Sequence, residues 1–303
     1  MHDRDWLAAR FEENRGHLRA VAYRMLGSAT EADDAVQESW LRLSRTDAEE
    51  IENLGGWLTT VVARVCLDML RSRTSRKEES LDEQVWEPVA VGASKNPEQE
   101  AVLADSVGVA LMVVLSRLAP AERLAFVLHD MFAVSFEEIG GIVGRTPEAA
   151  RQLASRARRR VQGTDSVSIA DRKEQRALVD AFLSAMRSGD FEALVAVLDP
   201  DVVVHIDEAA GRPGGPREIH GARNWAKGAL AFSQMAGEIE PVLVNGNVGL
   251  IWAPGGKLSR ALSFEISHGQ IVKVDIIADA ARLNRLDVAV LNEEHNGESL
   301  GEA

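Results

Sequence analysis

The stretch SFEEIGGIVGRTPEAARQLASRARRRVQ, residues 135–162, admits few conformations. Ser135 and Glu138 have the spacing at which a hydroxyl and a carboxylate cap the first turn of a helix reciprocally. Gly144 ends that helix, because glycine enters the left-handed closing conformation at no steric cost. Thr146 then offers an N-cap oxygen. Pro147 falls at the first helical position, where its missing N–H would have had no helical partner. These residues dictate two short helices joined by a tight, glycine-containing turn, a helix-turn-helix.

At about 100° per residue, the second helix sets Ala150, Leu153, Ala157 and Val161 on one face that must pack. Glu148, Gln152, Ser155 and Arg159 lie opposite, flanked by Arg151, Arg156, Arg158 and Gln162. The first turns of the second helix in such a motif meet base edges. That assigns Glu148, Arg151, Gln152 and Ser155 to base readout, and Arg145, Arg156, Arg158 and Arg159 to phosphates. The bland alternative is a solvated helix whose arginines pair with acidic neighbours. Glu148 is the one local partner, at the wrong end for most of them.

The formal net charge is -13, so this basic helix is an island in an acidic chain. A second island runs from Arg64 to Lys77. Such islands still act on a polyanion, because charges beyond about 8 Å are screened at physiological salt. The surrounding acid should keep binding to random DNA weak. Cys66 is the single cysteine, which excludes a disulfide framework and any multi-thiolate metal site, and it reads as a small buried hydrophobe. The longest apolar run, VGVALMVVL at 107–115, is far short of a membrane span, and the charged N-terminal stretch is unlike a secretory signal. A cytoplasmic protein follows as the expectation. The 303 residues suit two or three domains.

Residues 6–75 read as helices. TEADDAVQESWLRL repeats apolar residues at Ala32, Val36, Trp40 and Leu43, with Thr30 as N-cap. GGWLTTVVARVCLDML follows a Gly-Gly break and stripes Trp57, Val61, Val65 and Met69. Periodicity is lost from 76 to 97, a linker, and a second helical block covers 98–163. Beyond it, KEQRALVDAFLSAMRSG and DFEALVAVL read as helices. VVVHI, PVLVNGNVGLIWA, RALSFEIS and IVKVDIIA read as strands with NG and HGQ turns, and ARNWAKGALAFSQM reads as a helix among them. Helices followed by mostly strands imply an α+β domain over 164–303.

EADDAVQESWLRL resembles the second conserved region of extracytoplasmic-function (group 4) RNA polymerase sigma factors. GGWLTTVVARVCLDMLRSR is similar to their adjacent -10 helix, and LSRLAPAERLAFVLHDMFAVSFEEIGGIVGRTPEAARQLASRARRRV to their fourth, -35-reading region. The resemblance covers nearly all of residues 11–162, in the family's order. It implies two all-α sigma domains at 1–75 and 98–163 and core-polymerase binding by Asp33, Asp34, Gln37 and Glu38. It further implies -10 contacts from Arg64, Asp68, Arg71 and Arg73, and -35 contacts from the basic helix. Arg64, Asp68 and Arg71 also share one helical face, which could be no more than an intrahelical ion pair.

The last 140 residues resemble the cone-shaped, SnoaL-like α+β domain fused to one subgroup of these factors. That subgroup carries a W-L-P-E-P motif in the linker and a D-G-G-G-R/K motif in the added domain; here Trp86, Glu87 and Pro88, and Asp207 to Arg212 with Gly211, stand in altered form. The resemblance implies that they mediate control of polymerase binding by the chain's own C-terminus. A proton-transfer enzyme would want a buried acid or base plus an oxyanion donor, often Tyr. His205, Asp207, His220 and Asp275 are the candidates, but the one tyrosine, Tyr23, lies in the first domain, leaving Asn224, Trp225 or a backbone N–H as donor. The sequence therefore reads as a promoter-specificity subunit with core RNA polymerase and promoter DNA as partners, no cofactor, no metal and no catalysis. A free-standing DNA-binding regulator whose C-terminal domain senses a small ligand is the alternative.

Overall fold

A computed structural model of the chain describes residues 2–46, 51–79, 108–163, 169–211, 217–231 and 237–291. It divides into two compact units, Met1–Arg159 and Arg160–Ala303. Both helical blocks of the sequence fall in the first unit, save for the last residues of the second block from Arg160 on.

Three helices open that unit: α1 (His2–Leu26), α2 (Ala29–Leu43) and α3 (Leu54–Glu79). Gly27, at φ 78°, closes α1, and its N–H donates to the Tyr23 carbonyl. Only Ser28 then remains extended before α2, so Ser28 is the N-cap, accepting from the Glu31 N–H, and Thr30, expected as the cap, lies inside the helix. The Gly-Gly pair is likewise inside a helix. Asn53 Oδ1 caps the start of α3 by accepting from the Gly56 N–H, and a Cβ on Gly56 would stand 2.7 Å from the Asn53 amide. The break in apolar pattern at these glycines is the room this cap needs.

Burial on α3 departs from the expected stripe. Leu58, Val62 and Cys66 are fully buried and Val61 and Val65 nearly so, whereas Trp57 and Met69 are only half-buried. The helix is packed by α1 and α2 and also by the helices Pro120–Phe126 and Phe136–Val143 of the second block, so one narrow stripe cannot describe it. Each fully buried Leu or Val side chain stabilises the unit by roughly 1.5–3 kcal/mol.

The second block contains α4 (Val109–Ser116), α5 (Pro120–Phe126), α6 (Phe136–Val143) and α7 (Pro147–Gln162). A π-turn over Val127–Met131 continues α5.

The second unit begins in helices α8 (Ile169–Ser188) and α9 (Phe191–Ala196, capped by Asp190). A seven-stranded sheet follows: β1 (Leu198–Ile206), β2 (Glu218–His220), β3 (Ile239–Val244), β4 (Asn247–Trp252), β5 (Arg260–Ser267), β6 (Gln270–Ile277) and β7 (Val288–Ala289). The order is β2-β1-β6-β5-β4-β3-β7, antiparallel except where β1 runs parallel to β6. The NG and HGQ turns form as expected. Asn245 and Gly246 take φ 52° and 84°, His268 and Gly269 51° and 75°, the paired positive values of a two-residue hairpin turn. Helices α10 (Ala222–Ala229) and α11 (Ala280–Arg285) complete the unit. Val179, Phe182, Leu183 and Met186 bury one side of α8, with Phe182 stacked on Trp225 and edge-on to Phe264.

Candidate nucleic-acid and polymerase interfaces

The helix-turn-helix forms by local rules. Ser135 Oγ accepts from the Glu138 N–H while the Glu138 carboxylate accepts from the Ser135 N–H, and Thr146 Oγ1 accepts from the Ala149 N–H. Gly144 is left-handed at φ 69°. Gly140 has a tighter requirement that the sequence reading missed. A Cβ there would lie 2.8 Å from the Arg145 carbonyl oxygen, and the Arg145 N–H donates to the Gly140 carbonyl. Only glycine lets the turn pass this close.

Along α7, Ala150, Leu153, Ala157 and Val161 are buried as expected, joined by Ala154. Arg145, Glu148, Arg151, Gln152, Arg156 and Arg159 are exposed, and Ser155 and Arg158 are half-buried. Three of these side chains are engaged within the protein. Arg158 pairs with Asp130 at 2.5 Å, so an acidic partner outside the helix does exist for one arginine. The Arg151 guanidinium lies 5.1 Å from the Phe136 ring centroid, a cation–π contact that orients it. Hydrogen bonds from its own backbone and the Thr146 hydroxyl hold the Glu148 carboxyl below its usual range, so it also caps its helix.

The anionic face of α2 is present. Asp34 and Gln37 are exposed, Asp33 pairs with Arg19 at 2.7 Å, and Glu38 pairs with Arg42 at 2.9 Å. Leu41, 41% exposed, lies one turn beyond Gln37 and Glu38.

On α3, Asp68 and Arg71 are exposed. Arg64 donates to the Gly141 carbonyl of α6 at 3.4 Å, while Arg73 donates to the Leu26 carbonyl and pairs with Glu31. Arg64, although exposed, and the half-buried Arg73 are thus both engaged by other groups of the protein.

In the second unit, Asp207 is turned inward. Its carboxylate accepts from the N–H groups of Ala278 and Asp279 at 3.0 Å and pairs with Arg282. Burial works to raise the Asp207 carboxyl, but these donors outweigh it and hold it below its usual range. The Asp207 carbonyl accepts from the N–H groups of Ala210 and Gly211, which makes the loop a closed turn. Trp86, Glu87, Pro88 and Arg212 lie outside the described residues.

His205 bridges Asp275 and Glu218, each at 3.0 Å, and His220 reaches Glu218 at 2.7 Å. These groups are not in the domain's cavity of about 430 Å3. Ile206 and Ile276 line that cavity, so the alternation of a strand points His205 and Asp275 to the other face of the sheet. Trp225 lines the cavity, while Asn224 donates to the His220 carbonyl. Among the described residues, no cluster of His, Cys, Asp and Glu is disposed to hold a metal ion, and no helix is long and apolar enough to cross a membrane.

Family models match in the same order as these elements: Sigma-70 region 2 over residues 10–76, Sigma-70 region 4 over 108–161, and a SnoaL-like domain over 179–273. The chain is 38% identical over 266 residues to the ECF RNA polymerase sigma factor SigJ of Mycobacterium tuberculosis, covering 85% of each. The chain belongs to the ECF RNA polymerase sigma factors. The probable ECF RNA polymerase sigma factor SigI of the same organism is 31% identical over 293 residues, 94% of this chain and 98% of that one. The crystal structure of SigJ matches at a TM-score of 0.43 and 32% identity, over 91% of this chain and 98% of that one.

In this sigma factor the two helical blocks are joined by residues that the sequence reading did not single out. Arg123, 4% exposed, directs Nε and Nη2 at the Arg24 carbonyl, at 3.0 and 2.8 Å. Burial, helped by the nearby charge of Arg73, pushes its guanidinium down to about 10. Phe132 meets the His17 ring edge-on at 5.2 Å and lies 5.3 Å beneath the Arg24 guanidinium. Burial also pushes the Cys66 thiol up to about 12, although the Arg123 charge pulls the other way. These contacts span about a hundred residues of chain and leave no local pattern to read.

Proposed function

We propose that this sigma factor docks on core RNA polymerase through the α2 face of Asp33, Asp34, Gln37 and Glu38, and carries out no chemistry itself. In this reading residues 1–75 bind core and the -10 element, 76–97 are the linker, 98–163 read the -35 element, and 164–303 modulate the outcome. On α7, Gln152 and Arg151 meet base edges, while Arg156 and Arg159, with Arg145 in the preceding turn, meet phosphates. On α3, Arg64, Asp68 and Arg71 are the exposed members of the -10 set. Core polymerase and promoter DNA are the partners, and the site of action is the cytoplasm, where both reside.

The observation that carries this reading is the pairing of faces: an exposed anionic helix and an exposed arginine helix on one acidic chain of this family. A DNA-binding regulator working alone has no use for the first. The distances add a requirement. Sites near -10 and -35 are about 85 Å apart at 3.4 Å per base pair. Arg64 of α3 sits 3.4 Å from Gly141 beside the turn that leads into α7. Both elements cannot be read at once from that arrangement, so the first unit opens on binding polymerase. Modulation by the second unit is supported by the altered motif at Asp207 to Arg212, and the described residues that line the cavity include no Asp, Glu, His or Tyr to act as a catalyst.

Reconstituted transcription with full-length chain and core tests the assignment. The double variant Asp34→Lys, Glu38→Lys should lose copurification with core and at least tenfold in promoter-dependent transcript, with an unchanged circular dichroism spectrum. Undiminished copurification would refute the α2 face. Sequence-specific DNA binding by the wild type, without any transcript in the presence of core, would favour the free-standing regulator.

A further inference from the structure

The chain between α5 and α6 leaves the ordinary helical path. Val127–Met131 forms a π-turn, a conformation that is rare and frequent at functional sites, and Ala133 follows in the left-handed region at φ 54°. Left-handed alanine is uncommon because its Cβ crowds the backbone. The turn presents two adjacent side chains, His129 and Asp130, towards α6 and α7. We infer that this turn sets how α7 divides its arginines between bases and phosphates: Phe136, braced by His129, is a positioning residue for Arg151, and Asp130 withholds Arg158 from phosphates. The first half rests on the assignment of Arg151 to base edges made above; the second does not.

The His129 ring stacks on Phe136 with centroids 3.8 Å apart and planes 27° from parallel. Its Nδ1 lies 3.0 Å from the Val134 carbonyl oxygen. A carbonyl only accepts, so Nδ1 carries the proton, and the ring cannot swing away without losing that bond. Phe136 is the first residue of α6, directly after the Ser135 capping box, which fixes its backbone. The Arg151 guanidinium, 5.1 Å from the Phe136 centroid, is therefore attracted to a ring that is itself held in place. An arginine loose in solvent gives up rotamer freedom when it meets a base. One already oriented gives up less, and only for a base that lies where it points.

Arg158 lies two turns further along α7, so it shares one stripe of the helix with Arg151, about 10 Å away along the axis. Its Nε donates to Asp130 Oδ1 at 2.5 Å, and the two side chains are 37% and 22% exposed, a partly desolvated pair that salt screens weakly. A guanidinium engaged in this way neutralises no phosphate. Phosphate contacts act on every sequence alike, so withholding one raises the share of binding that carries sequence information. The two halves of the device thus act in one direction: Arg151 is aimed at bases, and Arg158 is kept from contacts that ignore them.

The experiment uses core polymerase assembled with the full-length chain, a promoter whose -35 element the wild type has selected from a randomised pool, and random duplex, each over a series of salt concentrations. Asp130→Asn should tighten binding to both duplexes several-fold and steepen the salt slope by about one. Arg158→Gln alone should leave the slope unchanged, and combined with Asp130→Asn it should restore the wild-type slope. A slope that falls by one in Arg158→Gln, or stays flat in Asp130→Asn, overturns the withholding. Phe136→Leu should relax preference at the base pair read by Arg151 at least fivefold without changing the slope, and Phe136→Tyr, which keeps a ring, should retain it. Circular dichroism checks folding, and Phe136→Met takes the place of Phe136→Leu if that variant unfolds. Preference kept in Phe136→Leu but lost in Arg151→Ala overturns the positioning role alone. Preference kept in both overturns the base assignment of Arg151 and the positioning role with it, while the slopes still decide the part of Asp130.

Discussion

Helices α3 and α7 both offer arginines to DNA, yet they spend them differently. On α7, Arg156 and Arg159 face outward, as does Arg145 in the turn before it, and the buried side consists of alanines, Leu153 and Val161, with nothing that titrates. On α3, Arg64 and Arg73 are drawn onto backbone carbonyls and Glu31, and the buried side carries Cys66 close to the charge of Arg123. Counting cations along a sequence therefore overstates what a helix offers a nucleic acid. A guanidinium on a long, flexible stem takes whichever acceptor is within reach, and only the fold decides which that is.

The largest expected effect separates the two helices directly. Arg156→Ala with Arg159→Ala should cost ten- to a hundredfold in affinity for a -35 duplex and lower the salt slope by about two. Arg64→Ala with Arg73→Ala should change the slope for a -10 strand by less than one. Equal slopes in salt titrations of the two double variants would break the comparison.

Next in size is the bond between the blocks. Arg123→Ala removes both donors to the Arg24 carbonyl and should destabilise the first unit by about 2 kcal/mol. Energy transfer between dyes on exposed positions of α2 and α7 should fall as the unit opens. An unchanged transfer efficiency would show that Arg123 does not hold the blocks together.

The smallest effect is a pH dependence confined to the buried side of α3. The folded Cys66 thiol titrates near 12 and the unfolded one near 9, so its stabilising contribution is full below pH 9 and declines above it. Arg123, whose folded value is depressed to about 10, contributes the opposite trend only above pH 10. Between pH 9 and 10 the loss due to Cys66 should be about 1 kcal/mol. Cys66→Ala should flatten stability over that interval in urea titrations, and an unflattened curve would place the thiol in contact with water.

What could be read from the sequence divides along the same line. The helix-turn-helix was legible because Ser135, Glu138, Gly144, Thr146 and Pro147 act within one turn of themselves. The two hairpins were legible from Asn245-Gly246 and His268-Gly269. Arg158 on Asp130 and Arg123 on the Arg24 carbonyl were not, since each joins residues far apart in the chain. Ser28 displaced Thr30 as a cap because the left-handed Gly27 leaves just one extended residue between α1 and α2. Strands β2 and β7 escaped because three and two residues are too few to show alternation. The cavity is a sum over sixteen residues from distant segments, and no local window contains it.

Those two short strands matter for another reason. They are the borders of the sheet, where unpaired N–H and C=O groups could template pairing with another chain and begin aggregation. A border of two or three residues offers almost no ladder to extend, and on β2 the side chains of Glu218 and His220 add charge and bulk. Among the described residues, β2 and β7 themselves are poor templates for an eighth strand, although β7 covers only Leu243 and Val244 of β3. Borders this short work against fusion of two such sheets edge to edge.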